Sequence, residues 1–94
     1  MIKQEKIFAG MVSVSIEQAL LDVGLETLRQ VELKLQAKYG HGLSESLIHP
    51  THLKDVLVEL PPENFEEIVQ STKKYLEEFS TQKIILDFIK VLEE

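Results

Sequence analysis

Ninety-four residues leave room for one domain; 44% apolar and 28% charged residues argue against wholesale disorder, and a net charge of −6 argues against whole-surface nucleic-acid binding. The absence of cysteine excludes disulfides, thiolate metal sites and cysteine nucleophiles, and makes a reducing, cytoplasmic setting the natural expectation. The opening MIKQEKIFAG lacks the apolar run of a secretory segment, and no window approaches the roughly 18 apolar residues of a membrane span.

Charge is uneven along the chain: residues 1–58 carry 6 basic and 7 acidic residues, whereas 59–94 carry 4 and 9. The only arginine is Arg29.

Residues 1–14 carry two patterns. Val12, Val14 and Ile16 alternate with Ser13 and Ser15 like a strand, while Phe8, Met11 and Val12 fit a helical turn. A strand has no pairing partner within the chain, so a helical or irregular arm is expected, apolar from Ile7 to Val14. From Ser15 to Tyr39, Ile16, Leu20, Val23, Leu28, Val31, Leu35 and Tyr39 recur every three to five positions, mostly the spacing of one helix face. Ser15 followed by Gln18 fits a capping box at its start. Leu21, Leu25 and Leu33 widen the apolar stripe. Gly24 leaves open one long helix or two with a bend.

The stretch YGHGLSESLIHPTHLKD, residues 39–55, holds all three histidines. Gly40 and Gly42 end the preceding helix, Leu43, Leu47 and Ile48 pin the loop, and Pro50 opens a short helix faced by Leu53, Val56, Leu57 and Leu60. Pro61 and Pro62 stop that helix, and Pro62 opens the next, faced by Phe65, Ile68, Val69, Thr72, Leu76 and Phe79. Ser80 or Thr81 caps a last helix with Ile84, Ile85, Phe88, Ile89 and Leu92 inward. The expectation is an all-α compact bundle of four or five helices over 15–94, possibly with an N-terminal arm over 1–14.

Chemistry is sparse. His41, His49 and His52, with Glu45 and Asp55, supply metal-ligand types, but His49 before the helix and His52 in its first turn diverge unless the loop folds back. GLSES resembles a nucleophile elbow with Ser46 in place of the last glycine and no preceding strand, so Ser44 and Ser46 are read as turn residues. Glu63, Glu66 and Glu67, like Glu77 and Glu78, suit a solvated helix face better than paired catalytic acids. No catalytic residue, metal, cofactor or small-molecule ligand is assigned.

Over about residues 15–93 the chain resembles a small helical family common in archaea, the Nitrosopumilus-type output domain. The matching residues are Ala19 and Leu20, Tyr39, the His49–Pro50 step, Leu53, Val56 and Leu57, Leu60, Ile68 and Val69, Leu76, Phe88 and Leu92. The resemblance implies an output or interaction module of a signalling or regulatory protein and transfers no catalytic residue. The chain departs from the family in lacking a loop cysteine and in having PPEN at 61–64 where members carry a Phe-Gly turn.

The expected function is therefore a non-catalytic interaction or regulatory domain with a protein partner, foremost a second copy as a homodimer. Its candidate contact residues are Phe8, Met11, Val12, Leu21, Leu25 and Leu33, and His49 and Pro50 form a structural loop. An alternative is an accessory domain of a nucleic-acid regulator using Arg29, Lys34 and Lys38. A third is a small metal-binding or hydrolytic protein built on the His41–His52 loop.

Overall fold

The computed structural model describes the backbone of residues 2–94 and the side chains of residues 6–94. Five α-helices follow one another: α1 (Ile2–Val23), α2 (Leu25–Tyr39), α3 (Pro50–Leu57), α4 (Pro62–Tyr75) and α5 (Lys83–Glu93). Short 3-10 turns at Leu43–Glu45 and Glu77–Phe79 complete the set, and there is no strand among the described residues.

α1 corrects the expectation for residues 1–14. Residues 2–14 are the first half of a continuous helix, and residue 1 lies outside the described residues. The strand-like alternation is overridden because Val12, Ile16, Ala19 and Leu20, at helical spacing, all reach the core, with Phe8 packed against it. Ser15 is accordingly buried in the middle of α1 and caps nothing, and Gln18 instead donates to Asp22 Oδ1 at 3.1 Å.

Gly24 is the single extended residue between α1 and α2, so the stretch is two helices. At the other end of α2, Gly40 has φ 72° and donates its N–H to the Gln36 carbonyl. This left-handed cap suits glycine because a Cβ would crowd the backbone there. Pro50 and Pro62 open α3 and α4 at the position where a missing N–H costs nothing. Gln82, with no side-chain cap bond, precedes α5 in place of Ser80 or Thr81.

One core joins all five helices. Leu28, Val31 and Leu35 of α2 meet α1 and α3; Leu53, Val56 and Leu57 of α3 also face α5; Ile68 and Val69 of α4 lie on α1; and Ile85, Phe88, Ile89 and Leu92 of α5 close the bundle. Thr72, fully buried, satisfies its hydroxyl by donating to the Ile68 carbonyl at 2.7 Å. Polar ties hold the rims: Tyr75 donates to Asp22 across α4 and α1, and Lys73 bonds Glu93 across α4 and α5 at 2.9 Å.

Candidate functional site

Two features stand out, an aromatic and charged seam between α2 and α3 and an apolar stripe on the outer face of α1. The seam exists because the Gly40–Gly42 reversal brings the start of α3 back beside the end of α2. The loop folds back, so the three histidines converge, against the divergence expected from their spacing. Tyr39 and His52 stack at 3.9 Å with planes 5° apart, and His49 stacks on His52 at 4.7 Å. His41 meets His52 differently: their centroids are 5.2 Å apart and their planes 18° apart, with His41 Nε2 2.9 Å from His52 Nδ1, so the rings meet edge to edge.

The proton positions follow from the acceptors. His41 Nδ1 lies 3.0 Å from the Gly42 carbonyl, which can only accept, so this nitrogen carries the proton. Neutral His41 then accepts at Nε2 from the Nδ1–H of His52. The remaining nitrogen of His52, Nε2, keeps a lone pair. This chain of hydrogen bonds can relay or store a proton, but the three rings stack with no common point for their nitrogens. Among the described residues no group of three or more histidine or acidic side chains is arranged to hold a metal ion.

Beside the rings, Tyr39 donates to Asp55 Oδ2 at 2.7 Å, Lys38 bonds the same oxygen at 3.4 Å and also Glu59, and Lys34 bonds Glu59 at 2.9 Å. The hydrogen bond from Tyr39, then that from Lys38, holds the Asp55 carboxyl below the usual carboxylate range. Lys38 and then Lys34 pull Glu59 down from 4.5 to about 2. The proposed basic stripe is thereby largely consumed: Lys34 and Lys38 face two carboxylates, leaving Arg29 alone on the surface of α2.

His52 is pushed below the usual imidazole value, first by burial and then by the neighbouring His49 and His41. The unfolded chain therefore binds more protons than the folded one as pH falls through about 6.5, and stability present above that value is lost below it. Glu59 adds a second loss, from 4.5 toward about 2. The urea midpoint is expected to fall between pH 8 and pH 5 and again below pH 4.5, with His52→Gln flattening only the first step. A midpoint flat from pH 8 to pH 5 contradicts this.

The hydrolytic reading has no geometry behind it. Ser46 is 1% exposed and out of a substrate's reach, and no hydrogen bond joins Ser44 or Ser46 to a histidine among the described residues.

The candidate contact residues divide. Val12 is fully buried in the core and is removed from any interaction surface, which corrects its assignment. Phe8 is half-buried, edge-on to Phe79 with centroids 6.5 Å apart, and Met11 is half-buried at the same junction. Leu21, Leu25 and Leu33 are exposed by 39%, 54% and 70%. Two residues that sequence reasoning left inside a generally apolar arm stand out with them: Ile7 and Val14, exposed by 60% and 64%. Ile7, Val14 and Leu21 recur every seven residues, a signal that was present in the sequence but masked by the competing strand pattern. Between α1 and the turn at Glu77–Phe79 runs a shallow, almost wholly apolar groove of about 470 Å³, lined by Ile7, Gly10, Met11, Val14, Leu76 and Phe79.

A larger groove of about 690 Å³ between α4 and α5 was not foreseen. It is lined by four lysines and three carboxylates, and Lys73–Glu93 and Lys83–Asp87 are already paired at 2.9 Å, so it offers no concentrated positive field. No helix among the described residues is long and apolar enough to cross a membrane. Comparison with protein families, curated proteins and solved structures finds no match for the chain.

Proposed function

We propose that the chain is a non-catalytic association module, a helical domain that acts by docking another polypeptide on its outer α1–α2 surface. Exposed leucines taken singly mean little, because more than half of any protein surface is apolar. The observation that carries the reading is their order: Ile7, Val14 and Leu21 at intervals of seven along one face of α1, with Leu25 and Leu33 exposed on α2. An amphipathic helix normally turns one stripe inward, and α1 has two, an inner one through Val12 and Ile16 and an outer one opposite. The resemblance to an archaeal output-domain family agrees with a module of this kind, and the reading includes a reducing, cytoplasmic setting.

A photo-activated cross-linking residue placed at Leu25, Leu33 or Val14 in cells tests it. Discrete protein adducts are expected from these sites and none from the exposed, polar Glu78. Absence of adducts at all three apolar sites overturns the reading.

A further inference from the structure

We infer that the outer face of α1 is a two-fold self-association surface on which α1 of a second copy lies antiparallel, Val14 of each copy seated over Gly10 of the other. The inference rests on the association reading and goes further by naming partner, direction and register.

The face is a heptad seam. Ile7, Gly10, Val14, Glu17 and Leu21 follow at alternating steps of three and four, the spacing that keeps one stripe facing a partner helix. All five are exposed, and they lie opposite Val12 and Ile16, so the seam can be covered without disturbing the core. Gly10 leaves a gap in it. A Cβ placed at Gly10 would meet nothing within 4 Å, so the fold of a single copy gives no reason to exclude a side chain there, whereas close approach of a second helix does. The nearest seam residue able to fill that gap is Val14.

Charge selects the direction. The first half of α1 carries Lys3, Glu5 and Lys6, a sum of +1, and the second half carries Glu17 and Asp22, a sum of −2. Basic residues at a helix N-terminus and acidic residues toward its C-terminus oppose the helix dipole, so this distribution does not serve the isolated helix. Tyr75 and Gln18 compensate Asp22, and no ion pair joins Lys6 or Glu17 to another side chain among the described residues. An antiparallel copy supplies what is missing. With Val14 over Gly10, Ile7 of one copy lies across from Glu17 of the other, and Lys6 beside Ile7 meets that carboxylate, twice by symmetry. A parallel copy would set Lys6 against Lys6 and Glu17 against Glu17. The arrangement is isologous, the same patch on both copies, and therefore closes as a dimer.

The test uses the full chain, whose lack of cysteine makes introduced thiols unambiguous. In an equimolar mixture of Ile7→Cys and Glu17→Cys chains, mild oxidation is expected to join unlike chains in preference to like ones. Gly10→Leu is expected to give a folded monomer. Lys6→Glu alone is expected to weaken the dimer roughly tenfold, two exposed pairs being lost together, and Lys6→Glu with Glu17→Lys to restore it to within about threefold. Ile7–Ile7 disulfides as the main product, or a dimer untouched by Gly10→Leu and by Lys6→Glu, overturns this interface while leaving association by another surface in place. A chain monomeric at every concentration also overturns it, and the cross-linking from Leu25 and Leu33 then decides the association reading separately.

Discussion

Phe88→Ala is expected to lower the free energy of unfolding by about 3–5 kcal/mol and the melting temperature by on the order of 20 °C. Phe88 is the largest fully buried side chain, 1% exposed, on the one helix that touches both α3 and α4 without touching α1 extensively. Truncation removes the transfer energy of the ring and leaves a cavity whose lining includes aliphatic groups from a core shared by all five helices. That core cannot collapse locally, because its other members are pinned by their own helices. A small domain has about 5–15 kcal/mol in all, so the variant should sit near its threshold for folding. Thermal melts followed by circular dichroism check the value; a loss under about 1 kcal/mol contradicts the described packing.

A pair of substitutions two residues apart in α1 is expected to separate fold from association. Val12→Asp should abolish folding, since it places an unpaired carboxylate where exposure is 0% and no basic group is described nearby. Val14→Asp, on the opposite face, should leave stability within about 0.5 kcal/mol of the parent and abolish association. Had residues 12–16 formed a strand, Val12 and Val14 would share a face and the two changes would behave alike. Equal loss of helical signal in both variants contradicts the helix assignment.

The same contrast marks where the sequence was readable. From α2 onward, apolar residues at helical spacing, the prolines at 50 and 62 and the glycine at 40 act through local geometry, so their elements could be located without tertiary knowledge. At the N-terminus the local signals conflicted. β-Branched valines favour strands, and the burial of Val12 and Ile16 against α4 that decides for helix is a long-range fact. Ser15 and Gln18 have a capping-box spacing, yet spacing does not reveal that the helix has already begun.

Of the candidate site, residue types were legible and placement was not. His41, His49 and His52 were visible as a set, but their convergence depends on α2 and α3 returning side by side. The pairing of Lys34 and Lys38 with Glu59 and Asp55 depends on the same return, at separations of 17 to 25 residues. The seven-residue recurrence of Ile7, Val14 and Leu21 was present throughout. It gained meaning only once Val12 was known to point the other way.

Sedimentation equilibrium of the parent chain beside Val14→Asp, from micromolar to several hundred micromolar, tests the central claim most directly. The account predicts a parent mass rising toward twice 10.8 kDa and a variant remaining at 10.8 kDa with its helical signal intact. A parent chain that stays at 10.8 kDa over the whole range, indistinguishable from the variant, contradicts it.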